Sequence, residues 1–85
     1  MILFRTKVFK KEYQKLSQQV QKITDKKLKL FIKNPHHPSL RAKKIRGSLN
    51  IWEASITMNY RFTFQKEKNE IILRNIGAHK LLLKP

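Results

Sequence analysis

The chain has 85 residues and sets 20 Lys plus Arg against five Asp plus Glu, a formal net charge of +15. That length makes one domain, 1–85, whose core folds alone at marginal stability, and it leaves no room for a second catalytic domain. The charge exceeds what solubility needs and opposes compaction by self-repulsion, so a polyanionic partner is expected. Nucleic acid is favoured over membrane, because no run of about 18 apolar residues occurs. The opening MILFRTKV is too short and too soon charged for a secretory signal, and the chain lacks cysteine, so a cytoplasmic location is expected. Without thiolates, and with three His and five scattered acids, a metal site is not expected, nor is a small-molecule cofactor.

Ile2 to Arg5 alternates like a short strand, and Thr6 is an N-cap candidate. Phe9, Tyr13, Leu16, Val20 and Ile23 then recur at spacings of four, three, four and three, with lysines and glutamines elsewhere on the wheel. This predicts one amphipathic helix of about four or five turns. Thr24 and Asp25 read as its stop and as the cap of a second, short helix carrying Leu28, Phe31 and Ile32. Asn34-Pro35 ends that helix, since proline disfavours helical geometry in its predecessor. Together they make a helical hairpin followed by the loop NPHHPS, where His36 and His37 read first as turn residues and only second as substrate contacts.

After the loop the hydrophobic period changes. Arg41, Lys43, Lys44 and Arg46 form a basic short strand around Ile45, and Gly47-Ser48 turns the chain. From Ile51 to Met58, the residues Trp52, Ala54, Ile56 and Met58 alternate with Ile51, Glu53, Ser55 and Thr57, giving one apolar and one mostly polar face. Tyr60, Phe62 and Phe64 alternate with Arg61, Thr63 and Gln65 in the same way. EKNE is a hairpin turn in which Asn69 suits a positive φ, and the last strand, with Ile71, Ile72, Leu73 and Ile76, is apolar on both faces. The expected fold is α+β, with two N-terminal helices packed on one face of a mainly antiparallel sheet of four to five strands.

Residues 26 to 46 hold eight Lys or Arg and no acid, which favours phosphate binding over a merely solvated face. Arg61, flanked by inward-facing aromatics, carries its guanidinium to the opposite face. There it either grips a phosphate and stabilises the charge of a pentacoordinate transition state or simply pairs across strands with Glu53. His79, after Gly77-Ala78, is exposed polar surface or a proton carrier. Glu53, among so many cations, is a weak base whose work is to orient a neighbouring Arg or Lys. Trp52 and Tyr60 read as core residues first and as base-stacking platforms second.

The order LRAKKIRG, IWEASI, YRFTF and EIILRNIGAH resembles the RelE/ParE superfamily of bacterial toxins over nearly the whole chain, and the ending IGAH is most similar to the RelE and YafQ branch. The resemblance implies a ribosome-dependent mRNA endonuclease of a type II toxin-antitoxin system, held inactive by an acidic antitoxin. It cuts by attack of a ribose 2′-hydroxyl on the adjacent phosphodiester, without a metal. It further implies catalytic roles for Arg61, His79, Lys43 and Glu53, and RNA binding by Arg41, Lys43, Lys44, Arg46 and Ser55. Lys43 stands where many relatives carry the histidine of a THKL motif, and Leu83 stands where family endings often place an aromatic residue, so His79 and Arg61 are left with more of the chemistry. Two other readings are a ParE-like inhibitor of DNA gyrase and a non-catalytic basic RNA-binding protein.

Overall fold

A computed structural model describes residues 2–79. Strand β1 (Ile2–Arg5) leads into helix α1 (Lys7–Gln14) through Thr6. The Thr6 Oγ1 accepts from the Phe9 N–H at 3.1 Å and donates to the Leu73 carbonyl at 2.9 Å. One threonine therefore starts the helix and fastens it to the sheet. The chain then folds back tightly, with the N–H groups of Lys15 and Leu16 donating to the carbonyls of Glu12 and Tyr13, and Ser17 caps helix α2 (Gln18–Lys33) by accepting from the Val20 N–H at 3.2 Å.

The break between the helices thus lies at residues 15–17 and not at Thr24-Asp25 as the periodicity predicts. Leu16 packs against the core from within the turn, so the apolar spacing runs on where the helix does not. Thr24 is fully buried inside α2, its hydroxyl donating to the Val20 carbonyl at 2.8 Å, which satisfies it without ending the helix. The Tyr13 hydroxyl donates to Asp25 Oδ1 at 2.8 Å and closes the hairpin. That hydrogen bond, aided by burial and by the Asp25 charge against the pull of Arg5, holds the phenol above its ordinary pKa. Removing the cap with Ser17→Ala is expected to lower stability by about 0.5–2 kcal/mol, measured by urea unfolding.

A 3-10 turn (Pro38–Leu40) precedes β2 (Lys43–Lys44), β3 (Ile51–Ser55), β4 (Tyr60–Lys66) and β5 (Glu70–Ala78). The five strands make one sheet in the order β1-β5-β4-β3-β2, antiparallel except for the parallel pairing of β1 with β5. The expected α+β fold with a mainly antiparallel sheet is therefore present. Strand β3 stops earlier than its alternation predicts. The Thr57 Oγ1 accepts from the N–H groups of Asn59 and Tyr60, turning the chain, and Met58 is 87% exposed instead of facing the core. The hairpin at residues 67–69 closes without a positive φ at Asn69; among the described residues only Arg41 (47°) and Gly47 (84°) adopt one.

Strand β5 is buried at Ile71, Leu73 and Ile76, whereas Ile72 on the other face is half-exposed, so the strand is not covered equally on both sides. The step from Leu73 to Ile76 breaks the period of two because Arg74 is bulged out: Phe64 faces Leu73 while Thr63 faces Asn75. Beyond the end of β1, α1 takes over the edge of β5, with Glu12 Oε1 accepting from Asn75 Nδ2 at 3.0 Å and from the Ile76 N–H at 3.2 Å. The core lies between the helices and the inner sheet face. There Phe31 of α2 meets Phe62 edge-on at 5.6 Å and Phe64 at 4.8 Å between ring centroids. No helix among the described residues is long and apolar enough to cross a membrane.

Candidate active site and basic surface

Register decides which side chains share the outer sheet face, because directly paired residues point the same way. Lys43 faces Glu53, Glu53 faces Thr63, and Thr63 faces Asn75; one step along, Ser55 faces Arg61 and Arg61 faces Gly77. The bulge at Arg74 restores Ile76 to the core and thereby sends Gly77, and with it His79, outward. Three of the four sequence-predicted catalytic residues consequently converge. Glu53 Oε1 lies 3.7 Å from Arg61 Nε and 3.9 Å from His79 Nδ1.

Glu53 is only 7% exposed, although it sits on the face opposite the helices. A carboxylate so removed from water needs a charged neighbour, which Arg61 supplies. The Arg61 Nη1 donates to the carbonyls of Thr57, Met58 (3.1 Å) and Tyr60 (3.2 Å), so the guanidinium also holds the β3–β4 turn in shape. His79 is fixed through its backbone N–H, which donates to the Asn59 carbonyl at 2.8 Å, and its Nδ1 is buried without a hydrogen-bond partner, aimed at Glu53. Leu83 lies outside the described residues.

The basic run does not form a single patch. Lys43 shares the face of Glu53, whereas Lys44 pairs with Trp52 and points to the other face. Arg46 is exposed next to the Gly47 turn, and Arg41 is exposed at the end of the 3-10 turn. Ser55 is nearly buried, 7% exposed, and lines a cleft of about 270 Å³ with Arg61, Arg41, Lys27, Ser39 and Thr57. Lys27 and Thr57 are additions that the sequence hides. Lys27 is one lysine among many on α2, and only the packing of α2 beside the end of β3 brings it to Arg61. Of the acids, Glu53 meets Arg61, while Glu12 is hydrogen-bonded to Asn75 and Ile76, Asp25 to Tyr13, and Glu67 to Gln65 at 2.7 Å.

This architecture, a helical hairpin on a five-stranded mixed sheet, is the RelE-like toxin fold. The chain overlays a YoeB/ParE toxin from Agrobacterium tumefaciens with a TM-score of 0.78 at 15% identity, covering 93% of this chain and 99% of that one. It overlays the RelB-RelE antitoxin-toxin complex from Methanococcus jannaschii with a TM-score of 0.79 at 19% identity, over 95% of each chain. YafQ from E. coli strain BL21(DE3) matches with a TM-score of 0.79 at 12% identity, over 94% of each chain. No protein-family model and no curated protein matches the sequence.

Proposed function

We propose that this chain is the toxin of a type II toxin-antitoxin pair and a ribosome-dependent mRNA endonuclease that inhibits translation. The observation that carries the reading is the meeting of Arg61, His79 and Glu53 on one polar sheet face beside a cationic cleft. The cleft receives the phosphodiester. With Arg61 Nη1 bound to the turn and Nε facing Glu53, a phosphate meets the Nη2 end of the fork, where the guanidinium stabilises the charge that grows on the phosphoryl oxygens. Glu53, facing His79 Nδ1, favours the tautomer protonated there and leaves Nε2 to accept the proton of the 2′-hydroxyl. At 3.9 Å this contact is longer than a hydrogen bond and has to tighten on binding, as catalytic contacts in unliganded enzymes commonly do. The 2′-oxygen attacks phosphorus, the bond to the 5′-oxygen breaks, and Lys43, on the face of Glu53, provides positive charge and a proton for the leaving oxygen. The products are a 2′,3′-cyclic phosphate and a free 5′-hydroxyl.

The test is primer extension on translated message with purified ribosomes, joined to chemical detection of the cyclic phosphate. Message cut in the A site supports the reading. Intact message with gyrase-dependent DNA breaks replaces it with the ParE-like alternative, and intact message with ribosome binding alone replaces it with a binding role. The fold also supports an antitoxin as partner, since complexes with antitoxins are among its structural neighbours, and the net charge of +15 suits an acidic one. That complex is expected to weaken steeply as salt rises, as checked by calorimetry over a range of ionic strength. Neutralising Arg41, Lys43, Lys44 or Arg46 is expected to flatten the slope of log affinity for ribosome or message against log salt, by about 0.7–0.9 for each phosphate that is no longer paired with a cation.

A further inference from the structure

A second cleft, of about 220 Å³, opens on the helix-packed side of the sheet between the end of α2 and the β2 edge, away from Glu53 and His79. Its walls are aromatic and cationic: Trp52, Phe64 and Phe31 line it with His37, Lys66 and Arg41. Trp52 lies nearly parallel to Phe64, 15° between planes with centroids 6.3 Å apart, and is only partly covered. The Lys66 ammonium stands 4.9 Å over the indole, a cation–π contact between two partly buried side chains. His37 is held in one orientation, its Nδ1 accepting from the Ser39 N–H at 3.1 Å. The neutral ring then carries its proton on Nε2, as a donor. Arg41 lines both this cleft and the cationic cleft beside Arg61, and it does so from a left-handed backbone conformation, φ 47°. An arginine held there is strained, and such strain collects at functional positions.

We propose that this cleft is a nucleobase subsite: a base stacks on Trp52 in place of the Lys66 ammonium, while Arg41 holds the phosphate that links it to the nucleotide in the cationic cleft. The proposal rests on the reading of the protein as one that acts on RNA, and adds to it a second, separate point of attachment for the strand. A flat aromatic platform bordered by cations, with no acid in its lining, suits a base better than an acidic peptide, whose carboxylates would find cations but no use for the stacking face.

Trp52 is the only tryptophan in the chain, so its emission reports on the cleft directly. The full-length protein is titrated with a 2′-O-methyl trinucleotide, which cannot be cut by 2′-hydroxyl attack, and in parallel with inorganic tripolyphosphate and with a hexaglutamate peptide. The trinucleotide is expected to quench roughly half or more of the emission at saturation, as stacking on an indole does, with little change from either control. Arg41→Gly, which relieves the positive φ and folds at least as well, is expected to weaken the trinucleotide several-fold. Equal quenching by tripolyphosphate reduces the effect to electrostatics and overturns the subsite. Stronger quenching by the peptide makes the cleft a protein-docking site, and no quenching by the trinucleotide also ends the idea. Because the titration contains no ribosome and no scissile bond, quenching can persist if message is never cut, and cleavage can persist if quenching fails, so each reading falls on its own result.

Discussion

Single-turnover cleavage of translated message is expected to fall by roughly 10²- to 10⁴-fold in His79→Ala and in Arg61→Ala, with ribosome affinity nearly unchanged. In the proposed mechanism His79 moves a proton only as the 2′-oxygen attacks, and Arg61 answers charge that develops only in the transition state, so neither contributes much to ground-state binding. The two variants part company in stability. His79 is half-exposed, and its anchoring bond is made by the backbone, so His79→Ala keeps its fold. Arg61→Ala leaves the carbonyls of Thr57 and Met58 without their side-chain donor, while that of Tyr60 keeps the Ile56 and Thr57 N–H groups, and is expected to lose about 1–3 kcal/mol besides its activity. Arg61→Lys restores a charge but not the fork, so it recovers stability in part and cleavage hardly at all. Glu53→Gln separates orientation from charge: it keeps the shape, removes the carboxylate that sets the His79 tautomer, and is expected to lower kcat with little change in KM. Urea unfolding beside the primer-extension assay distinguishes these cases, and parental cutting rates in His79→Ala and Arg61→Ala would remove the mechanism.

Phe31→Ala is expected to be the most damaging change to the fold, with a loss of about 3–5 kcal/mol and a fall in Tm of more than about 12 °C. Phe31 is 1% exposed and is the side chain by which α2 grips both Phe62 and Phe64. A domain of this size holds only about 4–13 kcal/mol in total, and a net charge of +15 opposes its compact state. The variant is therefore expected to be largely unfolded in low salt at 37 °C and to refold in the presence of a polyanion, which binds the native cation array and shifts the equilibrium by mass action. Thermal scans with and without heparin measure both halves of the expectation. A Tm unchanged by Phe31→Ala would show that the helix is held by something other than this ring cluster.

The sequence carried the α+β fold and the polar sheet face because period-two alternation in β3 and β4 is a direct image of burial. Trp52, Ala54, Phe62 and Phe64 turn inward, and Glu53, Ser55, Arg61 and Thr63 turn outward, as the alternation predicts. It misplaced the helix break because Leu16 keeps its apolar spacing from inside the turn, while the Ser17 cap is a single hydroxyl with no periodic trace. Met58 was drawn into the core by alternation that the Thr57 turn cuts short. The proximity of His79 to Glu53 depends on long-range register and on the bulge, neither of which a local pattern records. The basic run read as one cluster because adjacent residues look adjacent in sequence, whereas a strand sends Lys43 and Lys44 to opposite faces. Arg41 and Lys27 meet Arg61 only through the packing of α2 and the 3-10 turn beside the end of β3.

The bulged Arg74 makes the last strand unequally sensitive to changes in its length. Register with β4 shifts by one residue across it, Phe64 to Leu73 before and Thr63 to Asn75 after, so a chain from which Arg74 is excised can close a regular ladder with Ile76 inside and His79 outside. Excision of a residue from Ile76 to Ala78 that leaves the bulge in place instead moves His79 one step along the strand and turns its ring toward the other face. The bulge is thus the one point in β5 where a single-codon deletion preserves the reading of the sheet. Its consequence would be confined to the clasp that Thr6 makes with the Leu73 and Arg74 carbonyls.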